Sequence, residues 1–237
     1  IELQGGHIQL QNPWKELSVK EWWLWSISML IVTVSNLVGG SFDVLTLAAT
    51  WVGITSLIFA AKGNVWAQFL MVAFSILYGI ISFRFRYWGE MITYLGMTLP
   101  MSVVTLVIWL RNPFKGNRLC VQVGRLRRID LFWLVLLTVV ITVVFGYVLA
   151  VLHTANLAPS ILSISTSTIA VYLSWRRSPW FAVGYALNDL VLIVLWSLAA
   201  VQDPGAVSVL MCFVAFFAND LYGFRNWRRM LCQQQTA

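Results

Sequence analysis

Eight apolar stretches of roughly 20 residues follow one another along the chain, at about 22–39, 42–61, 65–83, 90–110, 130–151, 157–175, 179–200 and 205–226. A run of that length crosses about 30 Å of hydrocarbon as a helix, the form in which a lipid-embedded segment satisfies its own backbone. The longest polar linker, Arg111 to Arg128, has 18 residues and leaves no room for a soluble domain. Only 11% of residues are charged and 59% are hydrophobic, with mean hydropathy +0.79, whereas soluble domains carry about 25% charged residues. The chain is therefore predicted to be an all-α integral membrane protein.

The net charge of +7 does not point to nucleic acid, because the basic residues gather at segment ends. With all eight segments spanning, fourteen Lys and Arg fall on one side, from Lys15 and Lys20 through Lys62, the 111–128 loop, Arg176 and Arg177 to Arg225, Arg228 and Arg229. The other side receives only Arg84 and Arg86. That bias places both termini and the 111–128 loop in the cytoplasm. Cys120, Cys212 and Cys232 form no CxxC pair, and neither His7 nor His153 has a metal-ligand partner at helical spacing. The cysteines read as reduced and structural, with no metal and no cofactor implied. Ile1 to Asn12 lacks the basic start and cleavage pattern of a signal peptide.

The chain repeats itself weakly. A shift of 114 lays Lys62 on Arg176 and Trp66 on Trp180, and a shift of 118 lays Trp109 on Trp227. Three helices cannot be duplicated in the same orientation without one more between them, and 130–151 supplies it. The expected plan is a seven-helix core of 3+1+3 parallel repeats, as in SWEET transporters, preceded by an extra N-terminal helix. The first segment opens with Trp22, Trp23 and Trp25, an interfacial belt, and is expected to span. The units are then 1–41 with the extra helix, 42–110, the loop and linker helix 111–156, 157–230 and a tail 231–237.

Polar residues inside such a core are expensive and mark either a site or helix-to-helix packing. On the middle helix of the first repeat, Gln68, Met71, Ser75 and Tyr78 are spaced to share one face. The second repeat places Ala182, Tyr185, Asp189 and Leu192 there, with Asn188 and Trp196 on the flank. The last helix ends ANDLYGFRNW, with Asn219 and Tyr222 on one side and Asp220 beside them. Pro100 is expected to kink its helix at mid-membrane. The run Ser160 to Ala170, rich in Ser and Thr, either lines a polar path or packs closely against its neighbours. No HExxH, GxSxG, Walker or metal-ligand pattern supports an enzyme.

With these residues in view, the stretch from about 42 to 230 resembles the PnuC family of nicotinamide riboside transporters. The likeness rests on Lys62–Gly63, Tyr78, YWGEM at Tyr87 to Met91, LPM at Leu99 to Met101, WRRSPW at Trp175 to Trp180 with Asn188 beyond it, and NDLYGFRNW at Asn219 to Trp227. A second Trp common in the family is Val183 here. The resemblance implies facilitated diffusion of nicotinamide riboside across a bacterial inner membrane, with cytoplasmic phosphorylation trapping it. Its pyridinium ring would stack on Trp or Tyr, and its hydroxyls and carboxamide would meet Asn, Gln and Ser. Gln68, Tyr78, Trp180, Tyr185, Asn188, Asp189, Trp196, Asn219 and Tyr222 are the expected substrate-binding residues. The expected partners are that small molecule and the bilayer, with a homo-oligomer left open. A SWEET-like sugar carrier, another nucleoside or vitamin carrier, and an accessory subunit are the alternatives.

Overall fold

The computed structural model describes residues 13–38, 42–115, 117–154 and 156–236. Eight helices in it are long and apolar enough to cross a membrane: α1 Val19–Val38, α2 Val44–Ala61, α3 Trp66–Arg84, α4 Trp88–Arg111, α5 Arg128–Val151, α6 Leu157–Trp175, α7 Phe181–Gln202 and α8 Ala206–Thr236. A short hairpin, β1 Pro113–Phe114 and β2 Asn117–Val121, joins α4 to α5. The helices make this a multi-pass membrane protein.

Local chemistry marks the helix ends. Asp43 caps α2, taking the Leu45 N–H at 3.1 Å and the Thr46 hydroxyl at 2.7 Å. Four helices close with the same left-handed turn, in which the second residue past the cap bonds back five residues: Asn64 N–H to Phe59, Tyr87 to Ser82, Thr154 to Leu149 and Ser178 to Leu173. Glycine usually fills the left-handed position of that turn. Here only Gly63 does, and Arg86, His153 and Arg177 hold φ of 56°, 49° and 55° at the others.

Pro100 behaves differently from the expected mid-helix kink. The irregularity precedes it, as a π turn over Thr93–Thr98, and Pro100 sits in the first turn of the α-helical stretch Leu99–Arg111 that follows. A proline costs least there, where its missing N–H breaks no helical bond.

In the core, α2 packs on α3 and α8, α7 on α6 and α8, and α4 on α3 and α6. Gly184 allows the close α6–α7 crossing, since a Cβ there would come within 2.8 Å of Ala170 Cα. Helix α5 packs mainly on α6, with only Asp130 and Leu149 buried. Its valines face outward, as lipid-facing residues do. Helix α1 lies against α2 and α8.

Two pairs of bonds relate the halves. Trp109 Nε1, at the end of α4, donates to Ser174 O at 3.4 Å, and Trp227 Nε1, on α8, donates to Ala60 O at 2.7 Å, with the two indoles 5.5 Å apart. The hairpin region ties to both basic turns, through Val121 N–H to Gly63 O at 3.0 Å and Gly124 N–H to Arg177 O at 2.9 Å. It also holds Gln234 of α8, whose Oε1 accepts the Val123 N–H at 2.8 Å. The basic turns and the long linker therefore form one braced face.

Candidate functional site

The shared face of α3 points inward as its spacing requires: Gln68, Met71, Phe74, Ser75 and Tyr78 are all buried. Tyr78 is the hub. Its ring lies 4.4 Å from Tyr94, 5.4 Å from Phe213 and 5.5 Å from Phe74, and its hydroxyl accepts from Trp196 Nε1 at 2.8 Å. Tyr87 stands 5.2 Å from Trp196, edge to face. Four helices, α3, α4, α7 and α8, thus enclose an aromatic cluster.

Three acidic side chains adjoin it. Glu90, the third residue of α4, is 0% exposed and lies within electrostatic range of Tyr78, Tyr87 and Tyr94. Neither of its carboxyl oxygens has a hydrogen-bond partner that meets donor–acceptor geometry among the described residues. Ser163 lies alongside, but its hydroxyl is turned to Asn188 Oδ1 at 3.3 Å. Deeper toward the basic face, Asp189 and Asp220 are both buried, within electrostatic range of each other and of Tyr185. The buried charged residues are Glu21, Glu90, Asp130, Asp189 and Asp220, and none of the described buried residues is Lys or Arg.

Residues 43–229 match the nicotinamide mononucleotide transporter family. The chain belongs to that family. It is also 22% identical over 241 residues to a protein of Neisseria mucosa named nicotinamide riboside transporter PnuC, covering 98% of this chain and 91% of that one. A crystal structure described as the vitamin B3 transporter PnuC superposes with a TM-score of 0.78 at 21% identity, over 92% of this chain and 94% of that chain. Helix α1 falls outside the matched family range, although the Neisseria relative extends across nearly the whole chain.

Within this family member, the expected site residues separate into groups. Tyr78 and Trp196 meet directly; Asp189 and Tyr185 lie together one layer away; Gln68 is buried on the α3 face about 15 Å nearer its start than Tyr78, at 1.5 Å rise per residue. Asn188 is held by the hydroxyl-rich face of α6: its Oδ1 accepts from Ser163, Thr166 and Ser167 at 3.3, 2.9 and 3.0 Å. Asn219 and Tyr222 turn instead to α1. Asn219 Nδ2 donates to Ser28 Oγ at 3.0 Å, and the Tyr222 hydroxyl donates to Glu21 Oε1 at 2.8 Å. Trp180 lies apart from all of these, 48% exposed and 5.2 Å from Phe224. Glu90, Tyr94 and Phe213 belong to the cluster although spacing alone did not select them. The signal available for Glu90 was a carboxyl inside YWGEM, close to a segment end.

Proposed function

We propose that this chain carries nicotinamide riboside across the bacterial inner membrane. The observation that carries the reading is Glu90, a fully buried carboxyl with no ion pair among the described residues, set against the Tyr78–Tyr94–Trp196 cluster. An isolated carboxylate in a low-dielectric site is costly. An aromatic cation beside it offsets that cost and stacks on the rings for about 0.5–2 kcal/mol per contact. The family's name specifies a mononucleotide and the Neisseria relative's a riboside. The acidic lining, with no buried Lys or Arg among the described residues to meet a phosphate, favours the riboside.

Movement by rocking of two three-helix bundles, 42–110 and 157–230, about the linker helix is part of the proposal. Its support is the paired indole bonds from Trp109 and Trp227 and the matched hairpin bonds to Gly63 and Arg177, residues 114 apart. Transport is facilitated diffusion, and phosphorylation inside the cell retains the product. The purified protein in liposomes, assayed with labelled nicotinamide riboside, its mononucleotide and a hexose, tests this. Saturable uptake of the riboside alone is the expected result; preference for the hexose or the mononucleotide overturns it.

Two predictions follow from the placement of side chains. Both termini face the cytoplasm in this proposal, and Cys232 is exposed near the end of α8. A membrane-impermeant maleimide should therefore leave Cys232 unmodified in intact spheroplasts and modify it in inverted vesicles. Trp180→Ala should change riboside affinity by less than about twofold, as substitutions away from buried networks do. A tenfold loss in the same titration would return Trp180 to the site.

A further inference from the structure

The basic face holds a second, chemically different recess, of about 620 Å³, between the ends of α4 and α6 and the approach to α5. Arg125, Arg127, Arg176 and Arg177 line it, together with Trp175 and Gly124. Basic residues at membrane ends ordinarily extend into water. Here Arg176 Nε and Arg177 Nη1 are buried without a hydrogen-bond partner among the described residues. The acid that serves the cluster is Asp130, whose Oδ1 takes Arg176 Nη2 at 2.6 Å. Its other oxygen is occupied by the Arg127 N–H at 2.8 Å. Arg125 and Arg177 form no ion pair among the described residues, so the recess keeps a surplus of positive charge.

The backbone holds the recess in shape. Gly124 N–H donates to Arg177 O at 2.9 Å, and a Cβ on Gly124 would collide with Arg176 O. Arg177 occupies the left-handed position that the α2–α3 turn gives to Gly63. A glycine there would relieve the backbone, so the guanidinium is kept against a local cost. Burial first, and then the neighbouring Arg176 charge, hold the Arg177 guanidinium below its usual range. An anion would relieve both.

We propose that this recess binds a phosphate group, presented by an anionic lipid headgroup or by a soluble phosphate compound. Planar guanidinium forks match phosphate oxygens bidentately, and basic recesses between membrane helices take phosphorylated headgroups. Trp175 at the rim suits the headgroup level of a bilayer. The proposal does not depend on what the central cluster carries.

The test is the thermal midpoint of the full chain in nanodiscs, wild type against Arg125→Gln and Arg177→Gly. One arm compares phosphatidylcholine alone with added phosphatidylglycerol or cardiolipin; the other adds inorganic phosphate or pyrophosphate to phosphatidylcholine discs. Wild type should gain at least about 3 °C, roughly 1 kcal/mol for a chain of this size, in one arm. Both variants should lose at least half of that gain. Because Arg177→Gly removes left-handed strain, its midpoint without anion should equal or exceed that of wild type, which separates a lost ligand from a lost fold. A gain in the lipid arm assigns a headgroup, and a gain only with free phosphate assigns a soluble ligand. Equal gains in wild type and variants, or no gain in either arm, overturn the proposal.

Discussion

Glu90→Gln should weaken nicotinamide riboside binding by about 10- to 100-fold, equivalent to about 1.4–2.8 kcal/mol. The amide keeps the shape of the side chain and leaves Tyr78, Tyr94 and Trp196 in place, so what is removed is charge. A unit-charge pair at about 4 Å is worth about 4 kcal/mol at an effective dielectric near 20, and part of that is offset by desolvating the cation. The reduced, dihydropyridine form of the riboside has nearly the same outline without the ring charge. Its affinity should change by less than about threefold, because no Coulomb interaction is lost. Titration of both ligands into both proteins makes a four-way comparison. Equal weakening of both ligands would mean that Glu90 only shapes the cluster. Failure of the wild-type protein to bind either would remove the substrate proposal itself.

Much of the fold was legible because lipid makes one demand on every spanning segment. The eight apolar runs all became helices, and 157–175 coincides with Leu157–Trp175. The last differs most: α8 continues to Thr236, ten residues beyond the expected 226, because Arg225 to Gln235 remain helical once clear of the apolar layer. Hydropathy carries no signal for that extension. Nor does it for the hairpin, whose second strand is fixed by bonds from Val65 N–H to Leu119 O and from Val121 N–H to Gly63 O.

The candidate site was less legible for a different reason. Periodicity says that a polar residue faces protein, not which neighbour answers it. Asn188 and the Ser/Thr run of α6 were read separately, yet the three hydroxyls converge on its one carbonyl oxygen. The same ambiguity holds for Asn219 and Tyr222, whose Nδ2 and hydroxyl meet Ser28 and Glu21 of α1. Glu90 was hidden by its position two residues into α4, where a carboxyl normally reaches water. The pairing of α4 with α6, with Gly89 close to Ser160 and Leu149, seals it off.

The second large effect concerns α1. Its buried face is polar: Glu21, Ser28 and Asn36, with Val32 between them. Glu21 is 1% exposed and gathers three partners: the Tyr222 hydroxyl at 2.8 Å, the Ser18 N–H at 2.6 Å and Lys62 Nζ at 3.3 Å. It thereby fastens the end of α2 to α8 through a helix outside the matched family range. Glu21→Ala should destabilise the protein by about 2 kcal/mol, a lowering of the thermal midpoint by about 4–8 °C. The figure sits below the 3–5 kcal/mol typical of a fully buried pair, because the Lys62 side chain is 26% exposed and can turn to water. Most of the loss comes from stranding Lys62 and Tyr222 rather than from the pair's own attraction. Lys62→Met in the Glu21→Ala background should therefore recover part of the midpoint, while Lys62→Met alone should cost more than it does in that background. Additive losses in the double variant would show that Glu21 and Lys62 act independently, and α1 would then be held by Ser28 and Asn36.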